Sequence, residues 1–353
     1  MSPHQIGLIL AVSTAMGLAS GPVVGRLADL LGARRLMLAL CAVTAAASAA
    51  AFLLTDGFAL FLVVVTVQAA ALAPTAALAD ALAGRHAAYG RIRAAGSAAF
   101  VLGTLLIGQM VSTHDLRAVV WMHAGLLVLV AMTAGLVPRT IPKASETPQV
   151  RLKSPIMGAL RILMRLPQFR VLLLIAAMVF GSHALNDGFA VIYWNAAGIA
   201  PSVASLLWAE SVAAEVVVFV FLGPLLIARL GLRGAAVLAA AAGIVRWTAM
   251  GLTTSVAVLA VLQPLHGLTF ALLHLACMRV IAAVVPLSLS ATGQAIYAFA
   301  SGLTTAGLTA LCGPLYAGWG GASFFAMALL CAAALPFAWR GLGVRKRSEP
   351  RVA

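Results

Sequence analysis

Apolar residues run through this chain in long unbroken stretches rather than in alternation, and short polar breaks separate them. Runs centred on residues 5 to 25, 36 to 54, 58 to 79, 94 to 112, 118 to 137, 171 to 194, 203 to 227, 234 to 252, 255 to 281, 289 to 314 and 320 to 339 stand out. Each is close to or longer than the roughly 20 apolar residues that carry a helix across a bilayer. Hydrocarbon offers no water to unpaired N–H and C=O groups, so each run has to satisfy its own backbone as a helix. Period-two alternation, the mark of a membrane strand, does not describe these runs. The pattern predicts an all-α membrane protein with eleven transmembrane helices.

Composition strengthens this reading. Of 353 residues 63% are hydrophobic and 9% charged, and a mean hydropathy of +1.06 is incompatible with a water-facing surface. The formal charge of +14 would point to nucleic acid in a soluble protein, but the basic residues sit in the short loops. Alternate turns hold Arg26, Arg34 and Arg35, then Arg85, Arg91 and Arg93, then Arg229 and Arg233, then Arg279, and finally the tail with Arg340, Arg345, Lys346, Arg347 and Arg351. The intervening turns, at residues 55 to 57, 112 to 117, 195 to 201, 253 to 255 and 318 to 321, contain only Arg117. The positive-inside rule therefore places the C-terminus in the cytoplasm and Met1 outside, in an inner or plasma membrane. The longest polar stretch, residues 138 to 170, carries Arg139, Lys143, Arg151, Lys153, Arg161, Arg165 and Arg170 and reads as a cytoplasmic linker, with an amphipathic helix near 154 to 166.

The linker divides the chain into an N-terminal bundle (1–137) with five spans and a C-terminal bundle (171–340) with six, followed by a basic tail (341–353). Transporters are commonly built from repeated halves, and Leu30-Leu31-Gly32-Ala33-Arg34 finds an echo in Arg229-Leu230-Gly231-Leu232-Arg233. The two loops correspond only if the first half lacks its first helix, through truncation or a misassigned start. The first residues carry too little charge for a signal peptide.

The segment Gly25-Arg26-Leu27-Ala28-Asp29-Leu30-Leu31-Gly32-Ala33-Arg34-Arg35 resembles the signature loop between the second and third helices of the major facilitator superfamily, close to G-x-L-[AS]-D-[RK]-x-G-[RK]-[RK]. Its glycines suit a tight turn, and its carboxylate can cap a helix or pair with arginine. The resemblance implies a major facilitator fold of two helical bundles, with Gly25, Asp29, Gly32, Arg34 and Arg35 as a conformational latch on the cytoplasmic side. Leu30 and Ala33 stand where many members carry basic residues. A narrower resemblance rests on Asp80, the run Tyr89-Gly90-Arg91-Ile92-Arg93-Ala94-Ala95-Gly96-Ser97, Asp187-Gly188-Phe189 with Tyr193-Trp194, Glu215, Arg246-Trp247, and Leu265-His266-Gly267-Leu268-Thr269-Phe270 with His274. These look like the phenylpropionate permease branch, grouped with proton-coupled symporters of nucleosides and oligosaccharides. They imply proton-coupled uptake of a small organic solute.

An ionisable side chain at the bilayer centre costs at least about 2.5 to 3.5 kcal/mol, so such residues face a cavity or a partner. Glu215 lies mid-span, on one helical face with Trp208 and Ser211, and is the first choice for the proton-carrying acid; a structural acid paired to Arg246 is the alternative. Glu210 points away from that stripe. His183, Asp187 and Trp194 form another stripe, where Asp187 binds substrate or a proton, or simply caps the outer end. Arg246 either pairs with Glu215 and offers its guanidinium to an anion, or snorkels. His266, Phe270 and His274 recur at four-residue spacing, which suits cavity lining or proton relay, with a buried histidine satisfied by backbone as the alternative for either imidazole; they lack an HExxH or cysteine partner for a metal. Gln294, Tyr297, Ser301 and Thr304 form a polar face, either cavity wall or interhelical packing. Asp80 pairs with a nearby arginine in this reading. Cys41, Cys277, Cys312 and Cys331 lie in apolar segments without CxxC spacing and read as packing residues.

The expectation is therefore a monomeric, proton-coupled secondary transporter that moves a small organic solute by alternating access. Its partners are the lipid bilayer, the solute and the proton, without nucleic acid or cofactor. Trp208, Trp194 and Phe270 suit an aromatic solute, and Arg246 a carboxylate. The competing readings are a nucleoside or sugar symporter, an efflux carrier, a membrane sensor and an inactive fragment. No soluble signalling module is visible for a sensor, and no nucleophile–base arrangement for an intramembrane enzyme.

Overall fold

The computed structural model describes residues 1–83, 89–113, 115–137, 156–286 and 289–342. The side chains of Arg26, Asp29, Asp80, Arg91 and Arg93 fall outside that description, as do residues 138–155 of the expected linker and 343–353 of the tail. Among the described residues every regular element is helical. They are α1 (Pro3–Leu30), α2 (Arg34–Ala51), α3 (Phe58–Ala83), α4 (Tyr89–Thr113), α5 (Leu116–Ala134), α6 (Ile156–Arg165), α7 (Pro167–Gly181), α8 (Ala184–Ala196), α9 (Pro201–Val217), α10 (Gly223–Leu252), α11 (Val256–Leu262), α12 (Leu273–Val284), α13 (Ser290–Trp319) and α14 (Phe324–Gly341).

Eight stretches of described helix are long and apolar enough to cross a membrane. They do not separate into the eleven expected spans. Pro201–Leu252 and Gly293–Gly341 run 52 and 49 residues, more than twice the length of one crossing, and Ala98–Thr113 is apolar but shorter. The seventh expected span, 203 to 227, runs from α9 through a π-helical segment, Val218–Leu222, directly into α10, and the eighth, 234 to 252, lies in the rest of α10. The turn that divides them sits within α10, at Gly231, with φ 68° and ψ 177°. Large apolar side chains such as Val261, Met132 and Leu329 are 75%, 73% and 70% exposed, which suits a lipid surround and not water.

The chain forms two compact units interleaved in sequence. One gathers Met1–Gln149, Ala184–Glu210 and Gly302–Ser323. Within it α1 packs on α3, and α2 on α3 and α5. Small residues let these backbones approach: Ala45, Ala46 and Ala71 meet Leu127 in one cluster, and Ala28, Leu38, Leu78, Leu82 and Ala134 form another. A buried polar chain also ties α2, α3 and α5 together. Ser48 donates to Gln68 Oε1, and Gln68 Nε2 donates to His123 Nε2 at 2.8 Å.

The other unit gathers Val150–His183, Ser211–Ser301 and Phe324–Ala353. Here α10 lies along α14, and α7 packs on α14 and α12. A buried row of Ala235, Ala236, Ala239, Ala240, Ala242 and Gly243 makes the close approach of α10 possible. A Cβ on Gly243 would come within 2.5 Å of Cys331 Sγ.

Within the signature loop the glycines differ. Gly32 adopts φ 61°, and Ala33 N–H donates to Ala28 O at 3.0 Å, the six-residue closure of a Schellman cap. Gly231, its echo in the sequence, also has positive φ. Gly25 is helical, and a Cβ there would meet nothing within 4 Å among the described residues. Gly32→Ala is expected to cost about 1–2 kcal/mol. Gly25→Ala is expected to be neutral or to stabilise by up to about 1 kcal/mol. Thermal unfolding of the two variants in detergent checks the contrast.

Candidate functional site

The second unit contains a connected set of polar and aromatic side chains around Arg246. Arg246 lies within α10 and is 1% exposed, so it does not snorkel to an interface. Its Nη2 donates to Gln263 Oε1 at 3.0 Å, and its Nη1 lies 3.1 Å from His266 Nδ1. The Trp247 ring lies beneath it, 4.5 Å from Cζ to the centroid, a cation–π arrangement.

A guanidinium only donates, so His266 Nδ1 must be the acceptor. Neutral His266 then carries its proton on Nε2, which lies 3.4 Å from Glu215 Oε2. The expected pairing of Arg246 with Glu215 is thus corrected in one respect: His266 stands between them and touches both. Its i, i+3 relation to Gln263 puts both acceptors on one side of the chain facing α10.

The backbone at this point is unusual. Glu215 precedes the π-helical segment Val218–Leu222, and His266 precedes a second one, Gly267–Leu272. These segments pack together. A Cβ on Gly267 would come within 2.7 Å of both Ala214 O and Val218 Cγ2, so the close approach that brings His266 to Glu215 needs glycine. Short π segments inside α-helices are frequent at functional sites.

Aromatic rings and further polar groups complete the cluster. His266 stacks on Phe270, with centroids 5.5 Å apart and an interplanar angle of 12°. Phe180 meets Phe270 edge-on at 5.4 Å. His274 belongs to a neighbouring part of the site: its Nδ1 lies 3.2 Å from the Tyr297 hydroxyl. The two imidazoles of the expected stripe therefore have different partners.

His183, which the stripe with Asp187 and Trp194 placed near the outer end of a helix, is fully part of this cluster. Its Nδ1 donates to Val179 O at 2.9 Å and its Nε2 meets Thr269 Oγ1 at 3.0 Å. Trp247 Nε1 donates to Ser182 Oγ at 2.8 Å. The stripe itself is broken. The backbone bonds tighten from Ser182 N–H to Met178 O, four residues back, to His183 N–H to Phe180 O, three back, and α8 starts afresh at Ala184.

Asp187 is exposed and accepts from Asn186 Nδ2 at 3.1 Å. Trp194 is completely buried, with Nε1 lacking a hydrogen-bond partner among the described residues, so it is core and not the wall of an open cavity. Both belong to the first unit. So does Trp208, which lines a cavity of about 320 Å³ with Thr104, Ile107, Gly108, Val191 and Ser205. None of the side chains lining that cavity is charged. Of the polar face on α13, Tyr297 is buried in the second-unit cluster while Gln294, one turn earlier, is exposed. Among the latch residues, Arg34 and Arg35 open α2, and the side chain of Asp29 lies outside the described residues. Gln263, His183, Trp247 and Thr269 were not singled out as site residues from sequence. Gln263 carried a signal, a polar residue in an apolar span three positions before His266.

The comparisons with known proteins agree on one kind of molecule. A family profile described as the MFS_1 like family matches residues 1–327. Over 358 aligned positions the chain is 34% identical to the probable 3-phenylpropionic acid transporter of Escherichia coli strain K12, covering 95% of this chain and 88% of that protein. It is 22% identical over 304 positions to the uncharacterized transporter YwbF of Bacillus subtilis strain 168, covering 84% and 74%. Among solved structures, the nucleoside transporter NupG superposes with a TM-score of 0.79 at 14% identity, covering 96% of this chain and 89% of that one. A bacterial homologue of the human lysosomal transporter Spinster, in an inward-facing and unoccupied conformation, gives 0.75 at 18% identity with the same coverage.

Gly267→Ala is expected to destabilise the protein by about 1–3 kcal/mol through overpacking. Gly307→Ala, where a Cβ meets nothing within 4 Å among the described residues, is expected to show no such loss. Thermal unfolding of both variants decides.

Proposed function

The chain belongs to the MFS_1 like family and is a multi-pass secondary transporter, and from that premise we propose that it carries a small aromatic carboxylate, such as 3-phenylpropionate, in symport with a proton. The observation that carries this reading is the buried Arg246 guanidinium, held by Gln263 and His266 beside the Phe180, Phe270 and Trp247 rings. A guanidinium recognises a carboxylate through paired N–H donors, and aromatic faces accept an apolar ring. The name of the 34% identical relative points to the same substrate class.

Glu215 carries the proton in this proposal, with His266 beside it and His274 and Tyr297 completing the polar wall. Asp187, Trp208 and Gln294 serve the solute's path in the first unit and on α13. The halves 1–137 and 171–340 act as two bundles joined by the cytoplasmic linker, in an inner membrane with the tail inside. Gly25, Asp29, Gly32, Arg34 and Arg35 form the cytoplasmic latch. Alternating access requires the charged site to be open to one side at a time, which a rocking of bundles supplies.

Purified protein in liposomes, given an inward proton gradient, is expected to accumulate 3-phenylpropionate in preference to nucleosides and sugars. Arg246→Gln is expected to weaken carboxylate uptake by at least about thirtyfold, because it removes one partner of a buried charge pair. Glu215→Gln is expected to retain counterflow of preloaded substrate while losing gradient-driven accumulation. Undiminished accumulation by Glu215→Gln would remove the proton assignment, and indifference to Arg246→Gln would remove the carboxylate.

A further inference from the structure

We infer that His266 makes carboxylate binding and proton binding depend on each other, because the substrate and His266 Nδ1 compete for the same Arg246 N–H. The inference rests on the reading of Arg246 as the carboxylate site and adds a coupling residue to it.

In the substrate-free arrangement the hydrogen bonds assign the imidazole a single state. Nδ1 accepts from Arg246 Nη1 at 3.1 Å, and Nε2 carries the proton that faces Glu215 at 3.4 Å. A second proton on Nδ1 would set two N–H donors against each other at that distance and place two cations side by side in a buried site. His266 is therefore blocked from accepting a proton for as long as Arg246 donates to it.

A carboxylate that takes Nη1 as its donor removes that block. It pairs with the guanidinium, strips the hydrogen bond from His266, and leaves the Nδ1 lone pair open. Glu215 stands at the other nitrogen, ready to receive a proton. One proton from solution then bonds to Nδ1 as the Nε2 proton passes to Glu215, which carries it, so charge balances: one carboxylate and one proton enter together. By linkage the effect is reciprocal, and a proton on His266 Nδ1 releases Arg246 to the carboxylate.

The charged and titratable groups facing His266 among the described residues are consistent with this role. Arg246 comes from α10 and Glu215 from α9, and His183, from the turn after α7, stands 5.3 Å away between ring centroids. His183 has both nitrogens engaged, on Val179 O and the Thr269 hydroxyl. His274 bonds to the Tyr297 hydroxyl. His266 is the group in contact with both the anion site and the acid.

The test is calorimetric titration of the full chain in detergent, in buffers of differing ionisation enthalpy, with 3-phenylpropionate and with its uncharged amide. About one proton is expected to be taken up per carboxylate bound, with affinity rising by up to about tenfold per unit fall in pH. The amide is expected to take up none. In His266→Gln the amide oxygen can accept from Arg246 and the amide nitrogen can donate to Glu215, so carboxylate binding is expected to persist without pH dependence. Carboxylate binding without proton uptake in the wild type, or proton uptake that survives in His266→Gln, overturns the inference and leaves the carboxylate site standing. Equal proton uptake with the amide also overturns it, and absence of carboxylate binding at every pH overturns both. The comparison of acid and amide needs no variant, so a misfolded His266→Gln would not blunt it.

Discussion

A permanently charged guanidinium inside an apolar helical unit is the constraint around which the rest of this site is arranged. Arg246 cannot shed its proton, and its almost complete burial denies it solvent. An ionisable group at membrane depth is costly unless its donors are met, and here Gln263 and His266 accept while the Trp247 face lies against the charge. Once Arg246 claims Nδ1 of His266, the tautomer and the partner of Nε2 follow, so Glu215 becomes the far end of the same chain. What would be an isolated charge becomes a linked set whose members respond to one another.

The helices around this set depart from regularity where its residues are needed. The turn at Ser182 and His183, which ends α7, directs an imidazole into the second-unit cluster. One π-helical segment begins three residues after Glu215 and another directly after His266, and Gly267 lets their backbones approach. A regular α-helix would present residues at fixed 100° intervals; widening the turn changes which side chains face the neighbour. By contrast, the contacts of α10 with α14, and of α1, α2, α3 and α5, are ordinary close packing of small residues, with one polar chain from Ser48 through Gln68 to His123.

Several features were legible in the sequence for definite reasons. Apolar runs of bilayer length signal membrane helices because hydrocarbon leaves the backbone no alternative. The turn at Gly32 was legible because φ 61° suits glycine and its neighbours repeat around Gly231. Arg246, Glu215 and His266 were legible as site candidates because charge and imidazole inside apolar spans demand an explanation. Helical spacing served less well. It placed His183, Asp187 and Trp194 on one stripe, yet a break after Gly181 sends His183 into the cluster, leaves Asp187 exposed and buries Trp194. It also grouped Gln294 with Tyr297, although one is exposed and the other buried.

Solvent preference and local backbone requirement are properties of residues and their near neighbours, so the amino-acid sequence alone was enough to define a polytopic helical membrane protein, its basic loops and the residues too polar to face lipid. Which of those residues meet depends on the rotation of each helix and on breaks in its regularity, and these are set by packing between segments far apart in the chain. The interposition of His266 between Arg246 and Glu215, the engagement of His183 with Thr269, and the separate pairing of His274 with Tyr297 are of that kind. Each needs helices distant in sequence to approach within hydrogen-bond or ion-pair range, and no periodicity within one helix encodes that approach.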